Sequence, residues 1–415
     1  MKMKFSLNNQ ILIGAGLGVL GGLWASHIAA VGQPVSSLLY ICDIAGGIFI
    51  GLLKMILIPL IFTSIASGIG NLKAHAQMGR VWRITLIYFL ATPAIAALLG
   101  LTLINVFKPG KGLSITMFQN ATSSFHGENM TLGQFAKTFF ENLFLNPFTA
   151  MAQNQVVPTV LFAILLGIAL VVAGEQAKTI QKFLNESFEL IMIIVGWIMR
   201  LAPWGIMALL FKLAATQNAS LFSSLGKFAA VVVGGTLFHG IVILPLILYL
   251  FARVGPITYF SGMREALMTA FSTSSSSATL PVTLRCVKEN LHVDKDIVGF
   301  VAPLGATLNM DGTALYEAIA AIFVANLVGV DLNLMQQGVV FLTAILASIG
   351  APGIPSAGMV TMIMVLQSVG LPAEAIAILL PIDRPLDTIR TVVNVEGDAV
   401  CSLIVQRAVN KSKHP

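Results

Sequence analysis

Charge is scarce in this chain. Of its 415 residues, 10% are Asp, Glu, Lys or Arg, against about 25% in soluble globular domains. Hydrophobic residues make up 56%, and mean hydropathy is +0.88. That balance excludes an ordinary soluble domain and points to a polytopic membrane protein. Alternating ten-residue segments are also missing, which excludes a membrane β-barrel and leaves an all-α class. The three cysteines, Cys42, Cys286 and Cys401, fall in no CxxC or metal-ligand spacing, so neither a disulfide framework nor a thiolate metal site is indicated. No GxxxxGK[ST] loop occurs, which argues against ATP as the energy source. The net charge of +6 is not a nucleic-acid signal, because the basic residues cluster at segment ends.

Long apolar runs fill the chain instead. The first, Ile11 to Val31, is too long for a signal-peptide core and reads as an uncleaved membrane helix. A second runs from Ser36 to Gly70. Lys2 and Lys4 before the first run, with Lys73, Arg80 and Arg83 after the second, put the N-terminus and the second loop in the cytoplasm. A third helix is expected from Ile84 to Phe107, then a polar external loop from Lys108 to Gln134, then apolar helices over 156–173, 188–211 and 228–249. His239, in the middle of the last, has no titratable neighbour in sequence and reads as a packed or hydrogen-bonded neutral histidine. Beyond Arg253 the apolar segments are repeatedly interrupted, which suggests a scaffold half followed by a working half.

Four interruptions carry the functional reading. Phe271 to Pro281 holds six consecutive Ser/Thr residues, with too few apolar residues ahead of it to cross a core of about 30 Å; it reads as a re-entrant hairpin whose hydroxyls and free N–H groups suit a carboxylate. Ala302 to Thr313 places Gly305, Asn309, Asp311 and Gly312 at mid-membrane, where an unwound helix offers hard oxygen ligands for Na⁺ or a similar cation. Glu317, in the helix that continues, either takes a proton or pairs with a cation elsewhere. Ala347 to Gly358 is a second Gly/Ala/Pro hairpin with a tip suited to gating. Last, Asp383, Asp387, Arg390, Thr391, Asn394 and Asp398 fall within roughly a 100° arc of one helix, with Val392 and Glu396 pointing elsewhere. Each ionised side chain at that depth costs about 2.5 to 3.5 kcal/mol. Three carboxylates against one guanidinium therefore ask for bound cations. Two broken hairpins, each followed by a helix with polar residues at mid-depth, fit an inverted-repeat secondary transporter.

The segments TSSSSATLP, GATLNMDGTALYEA, ASIGAPGIPSAGMVTM and DTIRTVVNVEGDA together resemble the dicarboxylate/amino-acid:cation symporters, the family of glutamate and aspartate transporters. The resemblance implies a homotrimer in the inner (plasma) membrane, each subunit with eight membrane helices and two re-entrant hairpins. A scaffold, residues 1–75 with 108–215, would hold a transport domain, residues 76–107 with 216–415, that moves as an elevator. It also implies roles for single residues. Asp387 would take the substrate ammonium and Arg390 its side-chain carboxylate, with Ser275, Ser276, Thr313, Ile354, Gly358, Thr391 and Asn394 completing the substrate site. One sodium site would use Gly305, Asn309, Asn394 and Asp398; a second Thr307, Ser348, Ile349 and Ala351; a third Thr92, Asn309 and Asp311. Glu317 stands where proton-coupled members carry a protonatable Glu. Phe89 and Pro93 replace hydroxyl-bearing residues usual at the third sodium site. Ser274 and Thr388 stand at the two places where a second substrate-site Arg is usual, and neither supplies it.

The expected function is symport of L-glutamate or L-aspartate with Na⁺, with H⁺ as a further candidate coupling ion, no other cofactor, and membrane lipid as surroundings. VVNVEGDA resembles the neutral amino-acid carriers for serine, alanine or cysteine, and Arg390 argues against that reading. A channel would need a pore-lining ring, which is not evident. An enzyme would need a nucleophile and base on the polar strip, where Cys401 is the sole His or Cys nearby.

Overall fold

The computed structural model describes residues 7–30, 35–71, 79–111, 144–153, 155–216, 219–351, 353 and 357–413. Among these the regular structure is helical throughout. In order come α1 (Leu7–Ala30), α2 (Ser36–Gly70), α3 (Gly79–Phe107), the short α4 (Pro147–Ala152), α5 (Val156–Ala173) and α6 (Lys178–Thr216). Next are α7 (Ala219–Phe238), a π turn over His239–Ile243, and α8 (Leu244–Ala252). The second half holds α9 (Pro256–Thr273), α10 (Ser276–Arg285), α11 (Lys295–Leu308), α12 (Asp311–Val328), α13 (Leu334–Gly350), α14 (Ala357–Ser368) and α15 (Ile376–Lys413). Five described stretches are long and apolar enough to cross a bilayer: Ser36–Gly70, Arg80–Phe107, Pro158–Thr216, Leu221–Ala252 and Lys295–Val328. The apolar part of α1, Ile13–Ile28, is shorter.

α2 and α5 have the boundaries expected from sequence, whereas α6 is longer at both ends than 188–211. The added N-terminal turns carry Lys182 and Glu186, an exposed i,i+4 ion pair that apolar periodicity does not register. The segment expected over 228–249 is continuous from Ala219 to Ala252, but switches to π geometry at His239. Most of the polar loop after α3 lies outside the described residues.

The helices sort into two groups by packing. α1 lies along α6, and α2 packs on both α5 and α6. α12 packs on α3, while α15 touches α7, α8, α9, α11 and α12. α11 and α12 are almost wholly buried, whereas α5 and α6 turn most of their surface outward. The groups meet, among other places, where Lys54 Nζ of α2 sits 2.5 Å from Glu374 Oε1, just ahead of α15.

Three of the four interruptions coincide with helix ends, α13 closing at Gly350 and α14 opening at Ala357 for the third, whereas the charged strip lies inside the continuous α15. α9 ends at Ser274, which adopts a left-handed conformation (φ 51°), and Ser275 then caps α10 by accepting from the Ala278 N–H. α11 ends at Asn309 and α12 restarts at Asp311, with Asn309 and Met310 both outside helical geometry. Gly312 lets the first turn of α12 rest on α15, since a β-carbon there would sit 2.7 Å from Arg390 O.

The α1–α6 contact depends on a stripe of small residues. Gly14, Gly18 and Gly22, four apart, face the carbonyls of Pro203, Met207 and Phe211, also four apart. A β-carbon on Gly14 would approach Pro203 O to 2.5 Å, while one on Gly16 would meet nothing. Gly18→Val is expected to destabilise the detergent-purified protein by about 1 to 3 kcal/mol, read as a lowered melting temperature. Gly16→Val should leave the melting temperature within error, and equal losses from both would remove the stripe's special role.

Candidate functional site

The site is built on the buried half of α15. Arg390 is 1% exposed, and its Nη2 donates to Asp383 Oδ1 and to Asp387 Oδ1, each at 2.9 Å. Arg384 Nη1 donates to the other oxygen, Asp387 Oδ2, at 3.1 Å. The Arg390 guanidinium carbon stands 3.9 Å from the centroid of the Tyr316 ring on α12, a cation–π contact inside a water-poor core. Among the described residues Arg390 Nη1 and Nε have no hydrogen-bond acceptor. Gly358, at the start of α14, leaves room beside the guanidinium: a β-carbon there would lie 3.6 Å from both terminal nitrogens and from Thr313 Cγ2.

The sequence-based sign count needs correction here. Arg384 falls about 20° beyond the polar arc on a helical wheel, yet its long side chain reaches back and makes the group two carboxylates against two guanidiniums. The uncompensated acidic groups are instead those deeper in the bundle.

One turn on, Thr391 Oγ1 donates to the Asp387 carbonyl at 2.8 Å, so its hydroxyl is held along the helix. Asn394 bridges to α12: its Oδ1 accepts from Gly312 N–H at 2.8 Å, and its Nδ2 lies 3.4 Å from Thr313 Oγ1. The Ser/Thr break after α9 meets the Gly/Pro stretch after α13. Ser275 Oγ donates to Gly353 O at 2.7 Å and Ser277 N–H to the same carbonyl at 3.0 Å, with Ser276 buried between them. Ile354 lies outside the described residues.

A second cluster gathers where α11 breaks. Asn309 Nδ2 donates to Asp398 Oδ1 at 3.3 Å. Thr92 Oγ1 of α3 lies 3.2 Å from Asn309 Oδ1 and 3.0 Å from Asp311 Oδ1. Gly305 is required by the close approach of α15, because any β-carbon would collide with Asp398 Oδ1. Asn309, Asp311 and Asp398 are all buried. These amide, hydroxyl and carboxylate oxygens suit a hard monovalent or alkaline-earth cation. Among the described residues no group of three His, Cys, Asp or Glu side chains is disposed for a transition metal.

His239 completes this cluster, a role sequence spacing did not show. It is buried and hydrogen-bonded, as expected, but its partner is a carboxylate: Nε2 lies 2.9 Å from Asp311 Oδ2 across 72 positions of chain. Thr307 and the trio Ser348, Ile349 and Ala351 occupy the C-terminal ends of α11 and α13, two helices in contact. Ser348 Oγ turns back to Ile345 O, and Ala351 packs on Met310 beside the α11 break. Phe89 supplies only an aromatic edge beside Gly305.

Two buried glutamates remain. Glu317 on α12 accepts from Thr361 Oγ1 at 2.5 Å through Oε1, while Oε2 has no hydrogen-bond partner among the described residues. Glu396 is buried on the far face of α15, and Tyr259 OH donates to its backbone carbonyl at 2.8 Å. The helical wheel correctly turned Glu396 away from the strip, but did not show that its other side is core as well.

Known proteins resemble this chain in sequence along nearly its whole length. Residues 7–408 match the family described as Sodium:dicarboxylate symporter family. The chain is 34% identical to excitatory amino acid transporter 3 of Homo sapiens, over 98% of this chain and 87% of that protein. It is 35% identical to excitatory amino acid transporter 2 of Mus musculus, over 98% of this chain and 80% of that protein. A multi-pass transporter rather than an enzyme, the chain belongs to the sodium:dicarboxylate symporter family.

Proposed function

We infer that this chain is a secondary symporter of L-glutamate or L-aspartate driven by Na⁺. One observation carries the acidic substrate: a fully buried Arg390 whose Nη1 and Nε have no acceptor among the described residues, beside Gly358 at the start of α14. A guanidinium there offers a two-point grip to a side-chain carboxylate. Asp387 takes the substrate ammonium. The α-carboxylate goes to the hydroxyls and N–H groups of Ser275 and Ser276 and to the second hairpin tip with Ile354, and Thr313, Thr391 and Asn394 complete the pocket. The excitatory amino acid transporter names of the relatives support the same substrate class.

Sodium binds where the oxygens cluster: Gly305 O, Asn309, Asn394 and Asp398 in one site, Thr307, Ser348, Ile349 and Ala351 in a second, and Thr92, Asn309 and Asp311 in a third. Phe89 and Pro93 bring no hydroxyl to that third site, so the His239–Asp311 pair bears on its occupancy. Glu317 is the candidate for a coupled proton.

Eight spans follow from joining elements: α1, α2, α3, α5, α6, α7 with α8, α11 with α12, and α15. The pairs α9–α10 and α13–α14 form the re-entrant hairpins. The packing groups described above suit a scaffold of α1, α2, α5 and α6 and a transport domain of the rest, moving as an elevator within a lipid-embedded homotrimer. The neutral amino-acid alternative draws on VVNVEGDA alone, and Glu396 in that motif faces away from the substrate residues.

The reading is tested by uptake of labelled L-aspartate into proteoliposomes under a Na⁺ gradient; uptake that ignores Na⁺ or is blocked by excess L-serine contradicts it. Arg390→Cys should lower aspartate uptake by about a hundredfold or more, because it leaves two buried carboxylates against one remaining guanidinium. Gly305→Ala should raise the Na⁺ concentration giving half-maximal uptake by about tenfold, since the added methyl meets Asp398. Glu317→Gln should abolish any stimulation by an imposed pH gradient while Na⁺-driven uptake persists; retained pH stimulation would move the proton site elsewhere.

A further inference from the structure

The geometry points to Arg384 as a second guanidinium of the substrate site: a positioning residue that holds one oxygen of Asp387 and makes the empty site electrically neutral, so that an acidic amino acid can enter. It rests on the symporter reading above. Arg384 lies one helical step from Asp383 on α15 and is 6% exposed overall, although the polar arc of the sequence stops short of it. Its Nη1 is 3.1 Å from Asp387 Oδ2. Arg390 holds the opposite oxygen, Oδ1, at 2.9 Å, and shares the same nitrogen with Asp383. The Asp387 carboxylate is thus divided between two guanidiniums, one on each side.

This division has an electrostatic consequence. Within this four-residue ion-pair group Asp383 and Asp387 balance Arg384 and Arg390, and Thr388, next to Asp387 in sequence, brings no charge. Without Arg384 the group would carry one net negative charge. A substrate with two carboxylates and one ammonium also carries one, and like charges a few ångströms apart in a poorly solvated pocket repel strongly. An uncharged amino acid would meet no such penalty.

There is a geometric consequence too. To bind the substrate, Asp387 Oδ1 must leave Arg390 for the ammonium, and Arg390 must turn to a carboxylate. Arg384 keeps Oδ2 fixed through that exchange, so the carboxylate is not drawn wholly onto Arg390. Arg384 itself touches no substrate atom; it acts through Asp387.

Full-length protein in proteoliposomes under a Na⁺ gradient tests this, with kcat and KM for labelled L-aspartate measured for Arg384→Gln, Arg384→Met and Arg384→Lys. The uncharged variants should raise KM about tenfold or more with kcat within about threefold, and Lys should return KM to within about threefold of the parent. Unchanged KM in the Gln and Met variants would overturn the assignment. So would a Lys variant as impaired as those two, which is the pattern of a merely structural side chain. If neither uncharged variant folds, Arg384→Lys decides alone: KM within about threefold supports the charge role, and a rise of about tenfold overturns it. Parent protein that takes up no aspartate at all defeats the symporter reading first, before any variant is compared.

Discussion

Burying an ion is costly, and every notable feature of the second half of this chain follows from burying several at once. Moving a carboxylate or a guanidinium out of water costs several kcal/mol even after relaxation, and an ion left alone in the core is not tolerated. Asp383, Arg384, Asp387 and Arg390 meet that constraint on two turns of α15 by pairing with each other, the Arg390 guanidinium resting in addition on the Tyr316 ring. Such a group is a poor stabiliser compared with packed apolar residues. Its exchangeable pairs are what a binding site for a zwitterionic, dicarboxylic molecule needs.

The same constraint accounts for the broken helices. Among the described residues no guanidinium pairs with Asp311 or Asp398, and their surroundings are oxygen-rich: Asn309, Thr92 and the unwound backbone after Leu308. His239 adds one nitrogen to Asp311, in a π turn that interrupts an otherwise regular helix. On the proposed reading, small cations complete the neutralisation here. Asn394 ties the two regions together, since it is held by Gly312 and Thr313 of α12 while lying one turn from both Arg390 and Asp398. Ligands on either side of Asn394 then share one element, which is the physical basis for linkage between cation and substrate binding.

Much of this was legible in the sequence because it broke local rules. Gly305, Asn309, Asp311 and Gly312 in an apolar segment could be neither ordinary helix nor ordinary loop, and the break falls among them at Asn309 and Met310. The Ser/Thr run likewise marked the turn at Ser274 and Ser275. Three features escaped for identifiable reasons. Arg384 sits just past the edge of the polar face, where a helical wheel treats side chains as directions and ignores that an arginine is long enough to reach back. His239 and Asp311 are joined only by tertiary packing, which sets α7 and the π turn after it beside α12 and which no short window sees. Glu396 turns away from the strip, as the wheel requires, but an apolar-versus-polar pattern could not say that the opposite face is also core. The small-residue stripe of α1 is apolar throughout and leaves no trace in a hydropathy profile, although it sets how closely α6 approaches.

The coupling between the two buried clusters is most directly tested by calorimetric titration of L-aspartate into the purified protein across a series of Na⁺ concentrations. If Asn394 and the oxygens around Asn309, Asp311 and Asp398 hold cations that stabilise the substrate site, the aspartate Kd falls steeply as Na⁺ rises, and Na⁺ binds more tightly in saturating aspartate by the same factor. An aspartate Kd that stays constant across the series, with K⁺ replacing Na⁺ to hold ionic strength, would contradict that coupling and leave the buried carboxylates to be explained without bound cations.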